Sequence, residues 1–365
     1  MKKLIPVIIF LLYWFLFPIS IKEEFVPELI SSSVVQHGFV SGSGQDPLLA
    51  FSGPAVSGYV NDAGRVIFSI ESDEFVRAAG GYCLYSDSPG NFNLAGINGS
   101  VISSFSLDGV PYFLETGLYL LSHDARGFSV YTKAGLPVWH RYFSVPITVF
   151  STSSKITVIG LASGDLFILD DKGNIVFEKR FDYPDLDCIY GISVSPDNRR
   201  IAVIHGGNPQ FLHVLEKSGD KGYDYSDLLR MELDSEFRSD VFLTFSGDSS
   251  TLAYETPDGA AFYSFRNKKP SAITTKGSID SGVLSADGLF FFFSADFSGK
   301  KKFFYADLEN SDIYPGSGSH DFISLSINEN RLLVLTSDAA VPDYSDGEPM
   351  TVYNDKVYLY GLEMK

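Results

Sequence analysis

Positive charge is scarce in this chain. Only 28 Lys and Arg stand against 45 Asp and Glu, a net charge of −17. A surface this acidic repels phosphate backbones and anionic headgroups, which argues against nucleic acid as a partner and against lipid binding by the folded surface. There are two cysteines, Cys83 and Cys188, far apart and each in an apolar strand-like context. One possible pair is no disulfide framework, and two buried free thiols are the expectation, with a single bridge as the alternative. The six histidines neither pair at i, i+4 nor flank a cysteine, so no zinc spacing is present. No G-x-S-x-G elbow occurs. His205-Gly206-Gly207 has no nucleophile to serve and reads as a turn after the strand AVI. His123-Asp124 is a His–Asp pair in that order, and it falls in the loop HDARG. No catalytic, cofactor or metal residue is therefore assigned, and no cofactor is expected.

Aromatic residues, by contrast, are plentiful. Phe (31) and Tyr (20) outnumber Met (4), a composition that fits pleated, half-buried strands. The chain opens MKKLIPVIIFLLYWFLFPISIKEE, with Lys2 and Lys3 before an apolar run from Leu4 to Ile19. That is the pattern of an export signal. It lacks a small-x-small cleavage site, so residues 1–21 are read as a hydrophobic signal-anchor helix, with a cleaved signal peptide as the alternative. Two lysines ahead of it place everything after Lys22 outside the cytoplasm, anchored to the cytoplasmic membrane. Residues 22–30 are read as linker.

From residue 31 to 365 the chain repeats. YVNDAGRVIFSI, LAGINGSVISSF, VYTKAGLPVWHRYF and LDDKGNIVFEKRF share one strand–glycine turn–strand pattern, with Gly64, Gly99, Gly135 and Gly173 at spacings of 35, 36 and 38. Tight hairpin turns want glycine because they need positive φ. In the second half ISVSPDNRRIAVI, LTFSGDSSTLAYE, VLSADGLFFFFS and ISLSINENRLLVL align on Ser195, Ser246, Ser285 and Ser326. Asp197, Asp248 and Asp287 follow two residues later, and Asn328 stands in the fourth copy, where it is expected to make the same turn. A period near 40 with four short strands describes a β-propeller blade, strands A to D running from the centre outward. The Ser-x-Asp turn joins A to B, and the glycine turn joins C to D. The expected architecture is all-β, a single propeller of eight four-stranded blades, with seven as the alternative. The last blade ends on its strand C, VYLYGLE, and residues 31–40 are expected to supply the missing outer strand and close the ring.

These repeats resemble two propeller families: the glycine-turn half is similar to quinoprotein-type repeats, and the VSPDNRRIAV half to WD40 and TolB-type repeats. The resemblance implies the fold and leaves the activity open, because propellers host unrelated functions. Quinoprotein enzymes usually carry a docking Trp in each repeat. Only Trp14 and Trp139 occur here, so cofactor-free propellers of the bacterial envelope are the better analogues.

In a propeller the D–A and B–C connections share one face. Assigned this way, that face collects Asp185, Asp187, Glu236 and Asp240, and its longest loop, 338–352, adds Asp338, Asp343, Tyr344, Asp346 and Glu348. A single-sign face steers partners of opposite charge, and long loops on compact folds carry function. These nine residues are the candidate partner-binding surface. Asp170-Asp171 in LDDKG is not one: the acids are absent from the aligned turns, so the pair is turn chemistry. The expected role is a non-catalytic, extracytoplasmic protein-binding scaffold of the cell envelope, with basic envelope proteins among its partners. A lyase or hydrolase with a site at the channel mouth, and a small-molecule or carbohydrate sensor, stay open as alternatives.

Overall fold

Runs such as TVIGL, RIAVIH and RLLVLTS have apolar residues at nearly every position, as a strand needs when both its faces are covered. Others, such as PVWHRY, are covered on one face only and alternate between exposed and half-buried positions. The computed structural model describes residues 26–35, 49–181, 188–219, 222–233, 241–275, 277–316, 318–338, 341–343, 350–352 and 355–362. In it the first kind of strand lies inside a sheet and the second kind at its outer edge.

The strands form eight antiparallel sheets, the blades of a propeller. Blade 1 has three described strands, Leu49–Ser52, Val56–Val60 and Val66–Glu71; its fourth, expected from the repeat, lies outside the described residues. Blades 2 to 7 have four strands each and span residues 75–106, 110–142, 147–180, 189–233, 243–274 and 278–315. Blade 8 is built from Phe322–Asn328, Arg331–Ser337 and Lys356–Gly361, with Glu28–Val34 as its outer strand. Inner strands touch from blade 1 through blade 3 and from blade 4 through blade 8, and Leu49–Ser52 of blade 1 touches Phe322–Asn328 of blade 8, which completes the ring.

The core lies between blades. Val158, Leu166 and Ile168 of blade 4 interlock with Ile189, Ile201 and Val203 of blade 5, all six buried. Each blade buries both faces only because it has neighbours. The outer strand of blade 8 runs antiparallel to Lys356–Gly361, pairing Glu28 with Gly361 and Ser33 with Val357. Ser33 Oγ donates to Gly64 O of blade 1 at 3.0 Å, tying the two ends of the ring. This strand starts at Glu28, inside the stretch read as linker, and residues 36–40 lie outside the described residues. The reason is register: Leu29 and Val34 remain more than half exposed, so apolar patterning does not mark where the strand begins.

The turns follow their residues. Gly64, Gly99, Gly135 and Gly173 have φ of 74–78°, the left-handed region. Ser195 Oγ donates to Asp197 Oδ1 at 2.6 Å and accepts Arg200 N–H at 2.8 Å. Ser246–Asp248 and Ser285–Asp287 repeat this at 2.7 and 2.5 Å. The fourth copy departs from expectation. Asn328 belongs to the strand and pairs with Arg331, leaving a two-residue turn with no place for the side-chain hydrogen bond.

The expected N-terminal helix falls at residues 1–21, outside the described residues. Among the described residues no helix is long and apolar enough to cross a membrane.

Candidate functional site: the face of inter-blade connections

Blade 8 differs from the others between its second and third strands. Where they use a tight loop, its chain leaves Ser337, forms a separate two-stranded ribbon from Val341–Asp343 and Met350–Val352, and returns at Asp355. This ribbon pairs with no blade among the described residues. It lies within the long loop 338–352 chosen from the sequence.

A ladder of charges anchors its root. His320 and Lys301 exchange backbone hydrogen bonds at 2.6 and 2.8 Å. Lys301 Nζ donates to Asp280 Oδ2 at 2.7 Å, and Lys300 pairs with Asp321. Donating to Asp321 raises the pKa of Lys300. Asp338, the first residue of the loop, sits 3.1 Å from His320 Nδ1. Three aspartates of this region, Asp280, Asp321 and Asp338, thus face cations or an imidazole. Asp73 and Glu74, in the connection between blades 1 and 2, are exposed.

Of the nine candidate residues, the structure places two. Asp338 stands at the root and Asp343 on the first ribbon strand, paired with Met350. Tyr344, Asp346 and Glu348 come between the two ribbon strands in sequence, Asp185 and Asp187 between blades 4 and 5, and Glu236 and Asp240 between blades 5 and 6; all seven lie outside the described residues.

Two features near this face escaped sequence reading. The first is a histidine pair between blades 4 and 5. His205 ends the strand Arg200–His205, and His213 lies on the neighbouring strand Gln210–Lys217. They are 3% and 8% exposed, with ring centroids 4.8 Å apart. Phe181 stacks on His205 at 4.3 Å. No ring nitrogen of either has a hydrogen-bond partner. His213 Nδ1 comes within 3.6 Å of Asp227 Oδ1, too far for a hydrogen bond. The Asp227 carboxylate is held by Lys179 Nζ, at 2.9 and 3.0 Å. Burial, with His213, Arg230 and Lys179 nearby, holds the pKa of His205 down at about 3. Burial lowers that of His213 as well. The second is Glu255, whose pKa is raised by burial and whose carboxylate accepts Phe242 N–H at 3.3 Å.

Several motifs resolve into turn chemistry. Ser122 Oγ donates to Asp124 Oδ1 at 2.5 Å and accepts Gly127 N–H at 2.6 Å, the same Ser-x-Asp turn found between inner strands. His123 faces Asp108 instead, at 3.2 Å. Hydrogen bonds from Ser122, Tyr142 and Arg126 N–H lower the pKa of Asp124 to about 2. Asp170 accepts the backbone N–H of Lys172 and Asn174 at 3.0 and 2.7 Å, on the opposite face of the ring. Tyr225, at the edge of the 218–227 insertion, is buried against Phe177, with ring centroids 5.5 Å apart. Cys83 and Cys188 are both free; Cys83 is buried, as expected, whereas Cys188 is half-buried. Among the described residues no group of three or more His, Cys, Asp and Glu is close enough to hold a metal ion.

Eight interlocked blades closed by an N-terminal strand define a β-propeller repeat protein. The chain belongs to a beta-propeller protein family, whose model matches residues 3–321. Its fold is similar to that of BamB from Moraxella catarrhalis, with a TM-score of 0.61 over 92% of this chain and all of that one, at 12% identity. Dihydro-heme d1 dehydrogenase NirN, solved in complex with DHE, superposes with a TM-score of 0.52 at 16% identity, over 70% of this chain and 57% of its own. Identities this low carry the fold alone. An uncharacterised protein of Treponema pallidum (strain Nichols) is 19% identical over 226 residues, 61% of this chain and 58% of that relative's length.

Proposed function

We propose that this protein is a non-catalytic β-propeller scaffold outside the cytoplasm, which binds other envelope proteins through the face carrying the inter-blade connections. The observation that carries the reading is the ribbon at 341–343 and 350–352. Eight sheets account for the ring, and the ribbon adds to none of them. An element that the core does not need, set on a rigid ring, is a common place for recognition. Its root is braced by His320, Lys301 and Asp280, so the ribbon starts from a fixed point. The surplus of acids in the inter-blade loops fits basic partners, which it would steer towards this face. Lys2, Lys3 and the apolar run after them support export and anchoring to the cytoplasmic membrane. The similarity of the repeats to cofactor-free envelope propellers points the same way.

The test replaces residues 341–352 with a short glycine turn in a tagged full chain. Affinity capture from the membrane fraction of the source cells then compares the two proteins. A partner retained by the native chain and lost with the ribbon supports the assignment. An identical set of partners, with both proteins folded by circular dichroism, rejects this face as the binding surface.

A further inference from the structure

A cleft of about 280 Å³ opens between blades 6 and 7. Its walls come from Phe293, Phe297, Phe304 and Ile313, with Thr274 and Lys302 at the edge. Phe293 is fully buried and stacks on Phe304 at 5.4 Å, and Phe297 leans on Phe304 at 5.9 Å. The aromatic wall is therefore held from behind by the blade core. Thr275 Oγ1 donates to Gly277 O at 2.6 Å and Thr275 N–H to Asp258 O at 2.7 Å, which fixes the facing segment of blade 6.

Lys302 decides what the cleft selects. Three lysines follow one another here. Lys300 is committed to Asp321 and Lys301 to Asp280. Lys302 has no acidic partner among the described residues; its ammonium lies 5.5 Å above the centroid of the Phe297 ring. In a chain of net charge −17, an exposed cation without a carboxylate, beside an apolar cleft, offers an anion its counter-charge. The cleft is at the small end of the roughly 300–1,000 Å³ of small-molecule sites, which suits a ring with a short chain and not a nucleotide. One ammonium is a single positive point charge, which balances the one charge of a monocarboxylate but not the two of a phosphate monoester.

We propose that this cleft binds an amphipathic monocarboxylate, its aryl or alkyl part against Phe293, Phe297 and Phe304 and its carboxylate on Lys302. The proposal does not rest on the protein-binding role. The probe is 4-phenylbutyrate, titrated calorimetrically into the full chain at low salt, with 4-phenylbutan-1-ol as its uncharged counterpart. The acid is expected to bind saturably and about tenfold more tightly than the alcohol. Lys302→Met, which keeps the apolar stem, should remove that preference and leave the alcohol unchanged. Thr274→Trp, at an exposed position on the rim, should abolish binding of both. Absence of saturable binding at millimolar acid overturns the proposal. So does binding that survives Thr274→Trp, or a Lys302→Met effect equal for acid and alcohol.

Discussion

Acid should destabilise the blade 4–blade 5 contact through His205. In the folded chain its pKa is held at about 3, against 6.5 for an ordinary histidine. The unfolded chain therefore takes up the proton first as the pH falls. Above 6.5 neither state is charged and nothing is lost; below it the unfolded state is favoured, and the loss deepens until the folded histidine also titrates near 3. At pH 4.5 the unfolded histidine lies two pH units below its midpoint while the folded one is still neutral, a loss of about 3 kcal/mol. The loss reaches about 5 kcal/mol near pH 3 on the same scale. The carboxylates of this acidic chain also respond to acid, so the comparison that isolates the effect is with His205→Leu. Leucine fills the slot beside Phe181 and Phe211 without titrating. Because both ring nitrogens of His205 are unpartnered, the variant should equal or exceed the native chain in stability at pH 7. Urea unfolding followed by circular dichroism at pH 7.0 and 4.5 gives the two differences. The native chain is expected to lose ~3 kcal/mol more than the variant. Parallel losses would refute a buried, neutral His205.

Two further substitutions probe the repeat itself. Gly173→Ala forces a side chain into φ +78°, with its Cβ 2.6 Å from Trp139 Cδ2. Gly219→Ala meets nothing at φ +86°. The second should cost about 1 kcal/mol from the backbone alone and the first clearly more, in thermal or urea unfolding. Ser246→Ala removes a fully buried hydroxyl that donates to Asp248 and accepts Thr251 N–H, and should cost about 1–3 kcal/mol in the same assay.

The blades were legible because each turn is encoded locally. A glycine between two apolar runs needs only its own φ, and a Ser two residues before an Asp needs only its own hydroxyl. The same local logic misled at Asn328, where a two-residue turn from Asn328 to Arg331 leaves the asparagine in the strand. It also hid a turn. Ser122-His123-Asp124 drew notice as a His–Asp pair, although its chemistry is that of Ser195 and Asp197. The closing strand was misplaced by three residues because ELISSSV carries too few buried positions to fix its start. What sequence could not display is convergence across blades. His205 is buried by Phe181, from the preceding blade, and Lys302 acquires its meaning from a cleft completed by Thr274 of blade 6. Of the candidate surface, the ribbon was visible as a long loop, whereas the cations that pair its neighbouring aspartates became evident only once blades 7 and 8 lay side by side.

Photo-crosslinking from the two faces tests the scaffold role most directly. A benzophenone amino acid is placed at Asp343 on the ribbon, and in a second protein at Asp171, exposed on the opposite face. Each full-length protein is expressed in the source cells and irradiated. A discrete higher-mass adduct from position 343, with none from 171, is the expected result. Adducts from 171 alone, or no adduct from 343 at native expression, would contradict it.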